Sequence, residues 1–544
     1  MARQKIAPVL FLHGTPPVLL LGAAYLPGLW PQPLGNALAL VALGWALFVL
    51  APRDRWSFPA APLAGVALIL WAFAGLLWSQ NIGGTLLTLL HAGVAVFIFL
   101  AARQPGVLEP KHFFLYLSLL GAVRTTELLI HGALTAKGAA PPFWGSPNLT
   151  FAGLTAALGA VAALAGTRGS PPERRAAWVL PLLVGVVLYR GNMMGPLFAL
   201  LLGVVVWFFI DRQKKTIMWG LPLFAIALLA LFAFGPPWAS NNPADPARWE
   251  RLTIWKDTLR MIAERPWGGG LGTFEAFTRE FQSLPGARVA PHAHNEYLEG
   301  FFELGLPGGF MALGLFGLAV ARRVRDAFPP GGLTVEKKSE RAVALGLLAV
   351  LLAAALVDFP LRALFPLLAT AFVLALRPET PPRPIGRRIK NLLWVLAVAG
   401  AFGFVSSLAN WDFHHRGKGA LAAGDPARAL LWFERAGRAW PWEPHLFYDQ
   451  ADCLVRMDRR AEAADRLTKS LRYSPRDIPN RRSLAKLTLT LEGPEAAARV
   501  YAPILGLAPA HAPYWREMGD LLAWAHRAED SQRHYARAAS LSGK

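Results

Sequence analysis

Long apolar runs separated by short polar turns organise the first three quarters of the chain. Runs of about twenty apolar residues, enough to cross a hydrocarbon core of about 30 Å, recur again and again. They lie near 7–29, 33–51, 58–78, 82–102, 112–134, 149–167, 177–189, 194–210, 217–235, 301–321, 342–357, 361–376 and 389–408. The pattern predicts an all-α, polytopic membrane protein of about thirteen transmembrane helices. The first run is followed by further spans and lacks a small-residue cleavage signal, so it reads as an anchor.

The basic residues test this count. Arg3 and Lys5, Arg53 and Arg55, Arg103 and Lys111, then Arg168, Arg174 and Arg175 fall on alternate loops. Arg212 and Lys214, Arg322 to Lys338, and Arg377 to Arg388 continue the alternation. The intervening short loops, such as "SQNI" at 79–82, are almost free of positive charge. Sorting of positive charge to the cytoplasm then places the N-terminus inside and the C-terminus outside the cell membrane. Two parts face outward: a long loop of about 236–300 and everything after 408.

Beyond 408 the period becomes that of amphipathic helices. Pro441, Pro475 and Pro509 recur every 34 residues, in step with Ala429, Ala463 and Ala497 and with Phe433, Leu467, Tyr501 and Tyr535. Small residues at helix crossings, a bulky residue in the groove and a closing proline resemble tetratricopeptide repeats. About three repeats and a terminal helix would build an extracytoplasmic α-solenoid over 409–544, behind a transmembrane domain over 1–408. Such a solenoid offers a surface to a protein partner.

Composition agrees with the membrane reading: 54% of the 544 residues are hydrophobic. The net charge of +20 sits mostly in sided loops, with no basic helix carrying interleaved aromatics, so nucleic acid is not a partner. Cys453 is the single cysteine, which excludes an intrachain disulfide and a cysteine-based cluster. "GGGLG" at 268–272 lacks the strand and lysine of a phosphate cradle. His292 and His294 have no nearby pair of acids to complete a metal site.

The polar stretch "HAHNEYLEGFFELGLPGG" at 292–309 stands at the outer end of a span. Asn295 can cap the helix, and Glu296 and Glu299 suit the positive end of its dipole. Gly305, Gly308 and Gly309 allow a sharp break or close helix approach. On these grounds His294 is either an interfacial capping residue or a proton acceptor. Arg124 and Glu127 stand three apart inside the fifth span, as a structural ion pair or a contact to donor lipid.

His294-Asn295, nine residues, then Gly305-x-x-Gly308 on the last large outer loop resembles the signature of the O-antigen ligase superfamily. The resemblance spans roughly 60–376 and includes Arg190-Gly191 and the run "RLTIWKDTLRMIAERPWGGGLGTF", with Arg251, Trp255, Pro266, Gly270 and Gly272. Tyr189 departs from it, standing where the family usually carries serine. The resemblance implies a glycan donor on undecaprenyl diphosphate, a glycan, lipid or protein acceptor, and catalysis with no metal or other cofactor. An O-antigen or exopolysaccharide polymerase of the same superfamily, whose acceptor is another lipid-linked glycan, is the alternative within the class. It implies that Arg190 and Arg251 bind diphosphate, with Arg248 a neighbouring candidate. His294 would then be the general base, with Asn295 and His292 in support. An acidic base, Asp245 or Asp257, is the alternative that a cell-wall glycan polymerase would use. A lipid-linked glycan transporter or a membrane scaffold would need no base.

Overall fold

The computed structural model describes residues 15–25, 33–57, 62–135, 149–191, 193–212, 247–283, 290–329, 332–376 and 382–542. The membrane part runs through α1 (Thr15–Tyr25), α2 (Pro33–Leu50), α3 (Pro62–Ala74), α4 (Ile82–Ala102), α5 (Pro110–Thr135), α6 (Leu149–Ala163), α7 (Pro171–Arg190) and α8 (Met194–Arg212). Two extramembrane helices follow, α9 (Ala247–Glu264) and α10 (Phe274–Phe281). The bundle closes with α11 (Glu296–Ala327), α12 (Val335–Val357), α13 (Leu364–Ala375) and α14 (Arg387–Ala422).

Among the described residues, eight helices are long and apolar enough to cross a membrane, and three apolar helices are shorter. The expected count of about thirteen is therefore carried only in part. The span near 217–235 lies outside the described residues. One of the short helices starts late for a visible reason. Leu364–Ala375 starts only after a turn of 3-10 helix at Pro360–Arg362, which keeps Arg362 out of the span expected at 361–376.

Close approach in the bundle depends on small residues, because lipid gives apolar helices little drive to associate. A Cβ on Gly121 of α5 would lie 2.6 Å from the Gly159 Cα of α6. One on Gly346 of α12 would lie 2.8 Å from the Gly203 carbonyl oxygen of α8. The two ends of the bundle differ. One carries the basic turns: Arg168 pairs with Asp211 at 2.7 Å and Lys390 with Asp54 at 2.9 Å. There β1 (Arg55–Trp56) pairs antiparallel with β2 (Arg383–Pro384). The other end carries α9, α10 and the repeats.

The boundary expected at 408 does not exist as a break. Helix α14 continues to Ala422, where Gly424 turns the chain at φ 79° and Asp425 caps the next helix. No proline interrupts the segment between, so the membrane helix becomes the first helix of the solenoid. It pairs with α15 (Pro426–Ala439), followed by α16 (Pro444–Arg456) with α17 (Arg460–Tyr473) and α18 (Ile478–Glu492) with α19 (Pro494–Tyr501) and α20 (Pro503–Leu507). Helices α21 (Ala512–Trp524) and α22 (Ala528–Ser542) form the last pair. There are thus four helix pairs, where three repeats and a lone helix were expected.

The 34-residue register holds in three dimensions. Ala429, Ala463 and Ala497 are fully buried, and Phe433, Leu467 and Tyr501 are at most 3% exposed. Tyr535, on the open end, is not buried. Opposite them stand Gly417, Ala451, Ala485 and Gly519, a second 34-residue series that places the first repeat inside α14.

Candidate active site

Asn295 caps α11 as expected, its Oδ1 accepting from the Leu298 amide at 3.0 Å. Helical spacing then stacks Glu296, Glu299 and Glu303 on one face, and one guanidinium serves all three. Arg362 lies 3.2 Å from Glu296 and 2.6 Å from Glu303, with Glu299 at 3.4 Å. Buried carboxylates demand such a partner, and the planar fork of arginine supplies it.

Glu299 does more than answer Arg362. One oxygen accepts from His292 Nδ1 at 2.9 Å and the other from the Ala293 amide at 2.8 Å. Burial disfavours the charged form of His292, but the hydrogen bond and charge of Glu299 outweigh this and raise its pKa above the ordinary histidine value. The Trp255 indole donates to the Ala293 carbonyl at 3.0 Å. The residues before His294 are therefore fastened from both sides.

His294 sits in the left-handed region at φ 49°, an uncommon place for a side-chain-bearing residue and a mark of a constrained turn. Its ring stands edge-on to Phe359, 5.1 Å between centroids, while His292 stacks on the same phenyl at 4.1 Å. Its Nδ1 faces Asp358 Oδ1 across 3.5 Å, longer than a hydrogen bond. Arg251 donates to the Val357 carbonyl at 2.7 Å, one residue from Asp358. The first turn of α8, which follows Arg190 in the chain, reaches the same place, since a Cβ on Gly195 would lie 3.3 Å from Val357 Cγ2. Arg190 itself is exposed at the end of α7.

The other expected residues fare differently. Arg248 is on α9, but its side chain lies outside the description, as does Asp245. Asp257 is committed elsewhere: its carboxylate accepts from the Ser283 amide at 2.7 Å and hydroxyl at 2.6 Å, closing the end of α10 onto α9. Arg124 and Glu127 pair at 2.8 Å, with the Arg124 guanidinium 3.9 Å from the centre of the Tyr25 ring. The Arg124 side chain is buried, whereas that of Glu127 is 26% exposed.

The glycines form an interlock. Gly305 breaks α11 at φ 70°, exposing carbonyls that the "PWGGG" loop caps. Gly269 donates to Phe302 O at 3.0 Å, Gly270 to Glu303 O at 3.1 Å, and Leu306 to Pro266 O at 2.8 Å. The two glycine motifs of the sequence are halves of one backbone joint. On its other side Thr85 Oγ1 donates to Leu271 O at 2.6 Å, fixing the loop on α4.

Residues 178–313 match the family model described as O-antigen ligase. The chain is a membrane protein with an O-antigen ligase domain. The match contains Arg190, Arg251, His292, His294 and Asn295, and ends before Asp358, Phe359 and Arg362. No curated protein matches the chain. Among solved structures, the repeats are similar to YrrB, described as a tetratricopeptide-repeat protein with an unusual peptide-binding site. It is 21% identical with TM-score 0.23, over 29% of this chain and 84% of that one. MamA is 12% identical with TM-score 0.23, over 29% of this chain and 96% of that one.

Four participants were missed from sequence: Glu303, Asp358, Phe359 and Arg362. Arg362 did leave a signal, an arginine beside an apolar run, where charge is costly and usually has a purpose. Asp358 and Phe359 left none.

Proposed function

We propose that this O-antigen ligase domain transfers a glycan from undecaprenyl diphosphate to an acceptor hydroxyl at the outer face of the bacterial cytoplasmic membrane. The observation that carries the reading is His294, held in a left-handed turn with Nδ1 toward Asp358 and with Arg251 one residue beyond. A proton acceptor and a cation that binds oxygen anions thus share one site.

With Nδ1 turned to Asp358, Nε2 is the nitrogen that takes the acceptor proton, and the carboxylate favours the imidazolium that forms. The freed oxygen attacks the anomeric carbon as the bond to the diphosphate oxygen breaks. The electron pair leaves with the diphosphate, whose charge Arg190 and Arg251 neutralise. Direct displacement inverts the anomeric centre, and the reading calls for no metal or nucleotide. Engagement of Asp257 by Ser283 weighs against an acidic base there. Orientation is supported by the basic turns gathered at the opposite end of the bundle and by the repeats lying at the His294 end.

Purified full-length protein with a polyprenyl-diphosphate glycan and candidate acceptors tests this. His294→Ala should bind donor yet lose transfer by about 10²–10⁴-fold, and parent activity should fall on acidification, because a protonated imidazole accepts no proton. Arg190→Ala and Arg251→Ala should instead weaken donor binding, with lysine recovering only part. A folded His294→Ala enzyme with near-parent transfer would end the mechanism.

A further inference from the structure

Helix α10 lies between two parts of the molecule that the chain separates by nearly two hundred residues. On one side, its Phe274 and Phe277 rings meet Phe302 of α11 at 5.8 and 5.3 Å, both in edge-on geometry. The Phe274 amide points to Glu303 Oε1 at 3.4 Å. On the other side stands Arg476, in the turn between α17 and α18 of the solenoid. Its guanidinium lies 4.2 Å from the Phe277 ring centre, Nε donates to the Ala276 carbonyl at 3.0 Å, and Nη2 pairs with Glu280. The Arg476 side chain is only 8% exposed and Phe277 is fully buried. A second contact fixes the solenoid nearer the membrane, where Trp442 backbone packs on Gly83 so closely that a Cβ there would lie 2.5 Å from its carbonyl oxygen.

A tethered docking arm would not need this. A flexible attachment has exposed, replaceable contacts, whereas a buried arginine that satisfies a carbonyl, a carboxylate and a ring at once fixes one orientation. The contacts also lead somewhere. Phe302 lies one turn beyond Glu299, and Glu299 holds His292 and the Ala293 amide just before His294.

We propose that the repeat domain is a working part of the transfer site, with Arg476 as a positioning residue. Through α10 it holds the first turns of α11, and through Glu299 it holds the turn that presents His294. The functional half of this inference rests on His294 being the base, whereas the mechanical half does not. Loss of Arg476 leaves the repeats folded, because its partners Ala276, Phe277 and Glu280 all lie outside them.

Hydrogen exchange on the full-length protein, read alongside transfer kinetics, tests both halves. In Arg476→Ala, amides over 290–300 should exchange about tenfold faster, while those within α12 and within the repeats keep parent rates. The turnover rate should fall with donor KM unchanged, since Arg190 and Arg251 are untouched. Combining Arg476→Glu with Glu280→Arg should recover part of both effects, which a residue needed only for folding of the repeats would not do. Glu280→Gln gives the same reading should Arg476→Ala fail to fold. Exchange that quickens over 274–283 but not over 290–300 would overturn the proposal. Coupled exchange in a protein that never transfers glycan would instead remove the proposed function and leave the coupling in place.

Discussion

Against α11, a Cβ on Gly268 would lie 2.5 Å from the Gly305 nitrogen, and one on Gly305 would lie 2.4 Å from the Trp267 carbonyl carbon. In the first repeat, a Cβ on Gly417 would lie 2.4 Å from the Phe433 ring. The overlaps are nearly equal, yet they differ in kind. At the site glycine meets backbone at positive φ, and neither partner can yield. In the repeats glycine meets a side chain, in a helix, and the second and third repeats already carry alanine at the same register beside Leu467 and Tyr501. One region is a joint of fixed shape; the other is a packing theme that tolerates variation.

The strongest test of that contrast is Gly305→Ala. Left-handed strain and backbone overlap add, so the loss should reach about 4 kcal/mol or more, with transfer abolished and little folded protein recovered. Thermal unfolding followed with the yield of detergent-stable protein measures it, and a well-behaved variant would erase the distinction. Gly417→Ala should cost less, about 1–3 kcal/mol of overpacking that Phe433 relieves by shifting, and Phe433→Leu beside it should recover most of the loss. Failure of that rescue would mean the first repeat is as rigid as the site.

The smallest effect is in pH. Burial would raise the Asp449 pKa, but hydrogen bonds from His414 and Lys418 outweigh it and hold the carboxyl below its ordinary range. Its stabilisation is complete above the unfolded value of about 3.9 and is lost as pH falls through the lower folded value. The Asp449 share of repeat stability should therefore be flat from neutral to mildly acidic pH and fall in strong acid. Asp449→Asn should remove this acid-dependent share.

Much of the repeat region was legible because one solution is written several times. The prolines, the alanines and the aromatic series repeat at 34 residues, and each copy vouches for the others. What escaped was the first helix of the first repeat, since Gly417 follows a transmembrane run without a break and the hydropathy change at 408 looks like a boundary. At the site, the local signals were sound: Asn295 caps, Gly305 breaks the helix, and Arg251 and His294 arrive at one end. The role of Glu299 was read only as favourable charge near a helix start, because its true partners, His292 and Ala293, bend back across a turn that hydropathy does not describe.

Sequence alone determined the class of the protein, the apolar spans that place it in a membrane and the 34-residue period. These are properties of local composition and spacing, so they survive being read one window at a time. Tertiary structure decided that Asp358, Phe359 and Arg362 complete the site, that Asp257 is held by Ser283, and that Arg476 reaches α10. Each of these is a contact between segments far apart in the chain. Such contacts depend on how whole helices pack, which no local pattern encodes.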